Sequence, residues 1–566
     1  MKLLGLDVGT TGCKALLFDE DGTLLAKAAC EYAVDMPQPH WAEQDSEAVW
    51  LLAQQTIRQA IASAGVDEVA ALALSVHGEA VTPVDAQGRA LRPTILGMDT
   101  RTDPQNAWLR QQIGGERLFH LTGMPVHTIN TLPKLLWIKQ HEPEIWRGAA
   151  QFLLVEDFLI AKLSGKAAIS QCLASRTQLL DLWQGEWSAE ILSALELEPA
   201  RLAAVAPSGA PAAEMSAAVA ASLGLKCRPL IVAGGHDQAC GALGVGLTSA
   251  GLAMVSTGTA EVVEVAYPTP TLPKRNARLE RENDPTPTLP KRSARLERGE
   301  ADPNPAFPAR VERETDPNPA LPARLERGEE MAGISRTLYE GNISVYRHVV
   351  PGLFLAMTLN HSGGLVLRWF RDTFCQAEVQ QAAQTGADAY DLILAGASPD
   401  PTGLLLLPHF AGSGTPTFDT QSKGALLGLT FATRRLDLAK AILEGLTYEL
   451  RLNLDLLKAG GVQIDALRAI GGGARSPLWL QLKADLTGIP VVVPRITEAA
   501  GFGAALLAGV GAGLYPSAAE AAARFLQLTD TYLPDPLRHA AYTRHYERYR
   551  QVYPAVAPIV KAAMPD

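Results

Sequence analysis

Leu3-Leu4-Gly5-Leu6-Asp7-Val8-Gly9-Thr10-Thr11-Gly12-Cys13-Lys14-Ala15-Leu16-Leu17-Phe18-Asp19 is the stretch on which the reading of this chain turns. An apolar run ends in a carboxylate, passes through glycines and hydroxyls, and opens a second apolar run beside a lysine. Asp21-Gly22 follows, a strong hairpin signal, and leads into Thr23-Leu24-Leu25-Ala26. The pattern reads strand, tight polar turn, strand, hairpin, strand. Such a turn points backbone N–H groups, the hydroxyls of Thr10 and Thr11 and the ammonium of Lys14 at one small volume, which suits a polyphosphate. No Gly-Lys-Ser/Thr opens a helix here, so this is not a Walker loop. By itself the stretch also admits an ordinary hairpin.

At 566 residues the chain has room for more than one domain of about 100–200 residues. Its composition, 47% hydrophobic and 19% charged, is that of a globular protein with ample core. A net charge of −10 argues against general nucleic-acid binding and gives no membrane-surface signal. The six cysteines, at 13, 30, 172, 227, 240 and 375, show no CxxC spacing and read as free or buried thiols, not a disulfide frame or zinc site. The N-terminus enters a strand directly, without a leader pattern, and no run approaches the roughly 18 apolar residues of a membrane span. A cytoplasmic location is the expectation.

Working outward, residues up to about 247 alternate strand-like and helical runs. Ala70–Val76 and Leu230–Ala233 read as buried strands; Leu132–Gln140, Phe152–Leu163 and Ala189–Leu195 read as helices. Leu252–Thr259 is again an apolar strand entering a hydroxyl-glycine turn, which hints at two related halves. From about Pro268 to Glu330 the character changes. Pro-Thr-Pro-Thr-Leu-Pro-Lys-Arg starts at Pro268 and again at Pro285, and Arg-Leu-Glu-Arg occurs at 278–281, 295–298 and 324–327. Such repeats lack the apolar stripe of a solenoid and cannot bury a core, so 268–330 reads as a disordered insertion placed in a surface hairpin loop. A partner-binding arm is the alternative. Beyond it, Leu404–Leu407 is an apolar run and Leu436–Leu457 a helix. Ala466–Ile470 is a short strand running into Gly471-Gly472-Gly473-Ala474. Trp479–Leu486 is an amphipathic helix, Val491–Val493 the last strand, and Ala499–Gly509 a Gly/Ala-rich helix.

Gly234-Gly235-His236-Asp237-Gln238 follows the strand at 230–233, with a small-residue helix starting over Gly241–Gly246. An aspartate at the carboxyl end of a strand in an α/β domain is well placed to deprotonate a hydroxyl attacking a phosphoryl group. A solvated loop aspartate or a helix N-cap explains Asp237 equally well.

Taken together, four features end strands in both halves of the chain: the Asp7 turn, Asp237, the Ser256-Thr257-Gly258-Thr259 turn and the Gly471–Ala474 turn. This set resembles the FGGY family of carbohydrate kinases, in the actin-like, ribonuclease-H-like ATPase superfamily, over nearly the whole chain outside 268–330. Pro39–Asp45 resembles the family's Gly-Trp-x-Glu-Gln-x-Pro segment, with His40 and Ser46 as departures. Val76-His77-Gly78 resembles the Met-His-Gly of its xylulokinases, Pro133–Trp137 and His141–Glu144 resemble other xylulokinase segments, and Ile95–Arg101 resembles the family's Trp-x-Asp-x-Arg segment.

The resemblance implies an α/β fold of two ribonuclease-H-like domains around a central cleft, 1–247 and 248–545, the second carrying the insertion. It implies ATP-dependent phosphorylation of a small sugar, a ketopentose such as xylulose, with ATP and Mg²⁺ as cofactors. Asp237 matches the catalytic base, and Asp7, with Asp237, the carboxylates that organise Mg²⁺ through water. Thr10, Thr11, Gly12 and Lys14 match the first phosphate turn, Gly258 and Thr259 the second, and Gly472, Gly473 and Ala474 the adenosine turn. His77, Gly78 and Asp99 match sugar-contacting positions. Trp108, Trp137 and Trp369 read as core. The partners implied are the sugar and ATP, without nucleic acid or membrane; a homodimer is compatible with this. Departures touch the acceptor: Gly97 replaces the tryptophan of Trp-x-Asp-x-Arg, Leu173–Thr177 differs from the xylulokinase Asp-Ala-Ser/Ala-Gly-Thr, and Gly412–Pro416 lacks a preceding Glu-Arg. Other sugars or polyols (ribulose, gluconate, glycerol, erythritol), a non-catalytic regulator, and an ATPase that moves a partner are the alternatives.

Overall fold

The computed structural model describes residues 1–268 and 334–563. Almost all of the repeat segment anticipated at 268–330 therefore lies outside the described residues.

A six-stranded sheet in the first half runs in the order Pro211–Glu214, Leu230–His236, Ala71–Val76, Lys2–Val8, Gly12–Asp19, Leu24–Glu31. The strand-turn-strand-hairpin-strand reading of the opening stretch holds. Lys2–Val8 lies in the middle, parallel to Ala71–Val76 and antiparallel to Gly12–Asp19. Covered on both faces, it is a nearly continuous apolar run, whereas the edge strand Leu24–Glu31 alternates half-buried and exposed positions.

The second sheet has seven strands, ordered Ser344–Arg347, Leu353–Asn360, Glu261–Pro268, Gly251–Thr257, Ile464–Gly471, Val491–Pro494, Leu528–Tyr532. Gly251–Thr257 occupies the place of Lys2–Val8: antiparallel to the next strand in the chain and parallel to Ile464–Gly471. Beyond Ile464–Gly471 come a parallel strand and then an antiparallel edge, as in the first sheet. The hint of two related halves thus reappears as one connectivity used twice. In that correspondence the unit Glu261–Pro268 to Leu353–Asn360 matches the tight turn between Gly12–Asp19 and Leu24–Glu31. The described chain leaves off after Pro268, which pairs with Leu353 at the far end of this strand pair. That is about 23 Å along the strand from the Thr257–Glu261 turn, and the Ala253–Val265 ladder is intact.

Two helices of small residues join the halves. Asp237–Gly244 continues from the first sheet, and Ala499–Gly511, launched from the second, packs back on Lys2–Val8. A Cβ at Gly503 would lie 1.9 Å from the Cys240 carbonyl oxygen, and one at Gly5 1.9 Å from that of Gly501. Glycine is required here by close backbone approach, not by turn geometry.

Four expectations need correction. Phe152 lies in the strand Gln151–Leu153, paired with Thr82–Val84, and the helix begins only at Val155. The apolar periodicity runs on through a strand too short to interrupt it. The helix placed at Gly241 begins at Asp237. Val491–Pro494 is not the last strand; Leu528–Tyr532 follows as a solvated edge, with no apolar face to reveal it. Trp369 is 43% exposed, packed edge-on to Phe374 and Phe410, whereas Trp137 is buried and Trp108 half-buried against the core.

Candidate active site

Register decides the surroundings of Asp7. It pairs directly with Lys14 on one side and with Ser75 on the other, so all three side chains share one face of the sheet. The Ser75 hydroxyl donates to Asp7 Oδ1 at 2.9 Å, and burial holds the Asp7 carboxyl above its ordinary range. The turn that follows is fastened by its carbonyls. Gly9 C=O accepts from the Tyr32 hydroxyl at 2.6 Å, Thr10 C=O from Gln44 Nε2 at 3.0 Å and Thr11 C=O from the Tyr32 N–H at 3.0 Å. Lys14 Nζ donates to Glu498 Oε2 at 2.8 Å, and Lys27 bonds the other oxygen of the same carboxylate.

Asp237 is the first residue of its helix, and its carboxylate accepts from the Gln238 N–H at 2.7 Å. Burial, then the neighbouring charge of Asp7, pushes its pKa up to about 7. His236 Nε2 lies 3.4 Å from Asp237 Oδ1, and burial drives this imidazole towards its neutral form. A cavity of about 1220 Å³ is lined by Asp7, Gly9, Lys14 and Asp237 from the first half and by Gly472, Ala474 and Glu498 from the second.

The turn after Gly251–Thr257 is anchored from below by a buried trio. Lys483 Nζ donates to Thr257 Oγ1 at 2.6 Å and to Glu261 Oε2 at 2.8 Å, and Thr257 Oγ1 donates to Glu261 at 2.7 Å. Gly258 C=O and Thr259 C=O accept from the N–H groups of Gly364 and Gly363 at 2.7 and 2.8 Å. Gly258 and Thr259 do not line the cavity, nor do Thr10, Thr11 and Gly12. Gly473 turns away from it: a Cβ there would meet Thr257 Cβ at 2.8 Å and the Trp479 ring at 3.2 Å. Its missing side chain lets the 471–475 turn pack on the 257–259 turn.

The residues that the resemblance assigns to the sugar are His77, Gly78 and Asp99. His77 is buried, its N–H donates to Val8 C=O at 2.9 Å, and its Nε2 has no partner among the described residues. A Cβ on Gly78 would stand 2.8 Å from the His236 ring. Asp99 is fully buried and bonded to Ala42 N–H at 2.7 Å and to Arg101, whose guanidinium lies 3.6 Å over Trp41. His77, Gly78 and Asp99 are thus not brought to the cavity wall.

Sequence reasoning passed over four charged groups. Arg176 Nε donates to Glu79 Oε1 at 2.6 Å, and the guanidinium lies 4.7 Å over Tyr346, whose hydroxyl donates to Glu264 at 2.7 Å. This buried network crosses between the halves. No short motif marks it, since its members come from four separate segments of the chain. Glu498 did have a signal: a carboxylate between a short apolar strand and a Gly/Ala helix, the position Asp237 holds in the first half.

Two ribonuclease-H-like sheets flanking one cavity, with carboxylates and glycine turns from both halves, define an actin-like ATPase fold. Residues 2–244 match the FGGY family of carbohydrate kinases, N-terminal domain, and residues 333–512 the C-terminal domain of that family. The chain belongs to this family; it is a carbohydrate kinase. It is 28% identical over 563 residues to a xylulose kinase of Escherichia coli K12, covering 98% of this chain and 99% of the relative. It is also 28% identical over 565 residues to an autoinducer-2 kinase of Klebsiella pneumoniae, covering 97% and 93%. The structure of a xyloylose kinase from Brucella ovis superposes with a TM-score of 0.79 at 26% identity, over 99% of this chain and 100% of that one. A gluconate kinase from Lactobacillus acidophilus superposes with a TM-score of 0.80, over 98% of both chains; at 21% identity it speaks for the fold alone. Among the described residues, no helix is long and apolar enough to cross a membrane.

Proposed function

We propose that this kinase transfers the γ-phosphate of ATP to a hydroxyl of a small ketose of the xylulose class, with Asp237 as general base. The observation that carries this is the placement of Asp237: a carboxylate with its pKa raised to about 7, open to the cavity between the Asp7–Lys14 turn and the Gly472–Ala474 turn. A base poised near neutrality accepts the hydroxyl proton as the oxygen attacks and keeps enough driving force to do so. Lys14 carries positive charge towards the transferring group, and closure of the halves would exclude competing water.

Mg²⁺ fits this donor set. Asp7 and Asp237 share the cavity, and the charge of Asp7 disfavours ionisation of Asp237, a strain that a hard cation would relieve. Bound there through water, it would neutralise charge on the phosphates. Six free thiols fit a reducing, cytoplasmic setting.

The acceptor is tested by a coupled ADP-release assay over xylulose, ribulose, gluconate, glycerol and erythritol, and xylulose should give the highest kcat/KM. One feature favours a second reading. Gly97 stands where the resemblance has a tryptophan, so that ring is missing here; a Cβ at Gly97 would already touch Glu79 Oε2 at 3.5 Å and the Gly78 carbonyl oxygen at 3.6 Å. A larger acceptor would then exceed xylulose in kcat/KM. Binding without turnover on every substrate would support a regulator, and sugar-independent ATP turnover a partner-moving ATPase.

The pH dependence has a definite sign. A base works ionised, so kcat/KM for the sugar should rise with pH through about 7 and level off above it. A profile already flat from about pH 5.5 upward would remove Asp237 from the role.

A further inference from the structure

Beneath the first phosphate turn, two cysteines face each other across neighbouring strands. Cys13 of Gly12–Asp19 pairs directly with Cys30 of Leu24–Glu31, and their Sγ atoms lie 3.3 Å apart. Directly opposed antiparallel residues have Cα atoms about 4.5–5.5 Å apart, inside the span of about 4.4–6.8 Å that a disulfide bridges. The remaining closure, to about 2.0 Å between sulfurs, needs side-chain rotation and no change of register. The surroundings differ on the two sides. Cys13 is buried and donates to Thr56 Oγ1 at 3.5 Å; Cys30 is partly exposed and stands 4.0 Å from Leu52 C=O. The pair sits beside functional groups: Lys14 is the next residue after Cys13, and Thr11 C=O accepts from the N–H of Tyr32, two residues after Cys30.

We propose that Cys13 and Cys30 form a dithiol modification site, which a low-molecular-weight disulfide converts to an intramolecular disulfide. The Cys30 thiolate attacks one sulfur of the small disulfide, forming a mixed disulfide and expelling one thiolate. Cys13 then gives up its proton to solvent and attacks Cys30 Sγ, expelling the second small thiolate. Two protein thiols are oxidised and one small disulfide is reduced to two thiols, so atoms and electrons balance. The order follows from access: the reagent reaches Cys30, and Cys13 can meet only its neighbour. Burial pushes the Cys13 thiol up to about 12, which makes the second step the slow one. The outcome is a covalent staple between the two strands that carry the turn, one residue from Lys14.

The test treats the folded, full-length protein with oxidised glutathione, quenches with iodoacetamide and maps peptides without reduction. The expected product is a linked Cys13–Cys30 peptide pair, two hydrogens lighter than the reduced pair and restored by dithiothreitol. Cys13→Ser should stop at a glutathione adduct on Cys30, and Cys30→Ser should leave residue 13 without adduct. Cys13→Ala serves if the serine variant fails to fold, with a circular dichroism spectrum matching wild type as the check. A persistent glutathione adduct on Cys30 of the wild type, or both cysteines alkylated after treatment, overturns the proposal. The readout is a bond, not turnover, so it stands or falls apart from the substrate assignment.

Discussion

Asp237→Ala should lower kcat for sugar-dependent ADP formation by about 10²–10⁴-fold, the range expected for loss of a positioned base, while the fold is retained. Asp237 meets the cavity from the first turn of a helix, and among the described residues only its own backbone neighbour, Gln238 N–H, donates closely to its carboxylate. Removing it therefore breaks no structural network. The stability effect has an unusual direction. A carboxylate whose folded pKa is raised from 3.8 to about 7 opposes folding once it is ionised, and the opposition is complete above about pH 7. At pH 8 the variant should melt higher than wild type, while at pH 3 the two should converge. Loss of activity with gain in stability separates a functional carboxylate from a structural one. Asp237→Asn, which keeps the shape and removes the charge, should reproduce both effects. A variant turning over at near wild-type kcat would sink the assignment of the base.

Lys483→Met should cost about 3–5 kcal/mol of stability, the penalty for leaving a buried charge without its partner. Lys483 is fully enclosed and divides its ammonium between Glu261 and Thr257, with the Trp479 ring 4.9 Å beneath it. Without it, Glu261 is left as a buried charge with no cation beside it, and Thr257 loses a donor that fixes its hydroxyl. Thr257 closes the strand that enters the Gly258–Thr259 turn, and Gly473 packs against its Cβ. The damage should thus spread from one turn to the other. The expected readings are a lowered urea midpoint and a raised KM for ATP, with the KM for the sugar little changed. Removing the partner as well, in Lys483→Met with Glu261→Leu, should restore most of the midpoint, because two matched apolar groups replace two charges. A single variant within about 1 kcal/mol of wild type would show that the trio does not hold the turn.

The opening stretch was readable because its signals are local. An apolar run, a glycine turn and Asp-Gly place three strands without help from elsewhere, and those strands stand where they were expected. Long periodic runs were readable for the same reason, as in the helix Arg435–Ala459. Local signal fails where an element is short or faces water. The strand Gln151–Leu153 hides in a helical period, and Leu528–Tyr532 has no buried face to alternate. Trp369 shows the other limit: composition marks a tryptophan as core, but whether a neighbour covers it is a property of packing.

The site divides along the same line. Asp7, Lys14, Asp237, Gly472 and Ala474 could be picked out as residue types at strand ends, and folding brings these five to one cavity. Sequence alone marked these five as candidates, because the turns that carry them are set by neighbours a few residues away. Tertiary structure alone decided that Asp7 pairs with both Lys14 and Ser75, and that Glu498 holds Lys14 from the other half of the chain. It also decided that Asp99 is sealed against Arg101, and that Cys13 and Cys30 stand sulfur to sulfur. Each of these depends on register or on helix packing between segments as far as 484 residues apart. Such contacts are chosen by burial and steric fit over the whole fold, and no local pattern of residues encodes them.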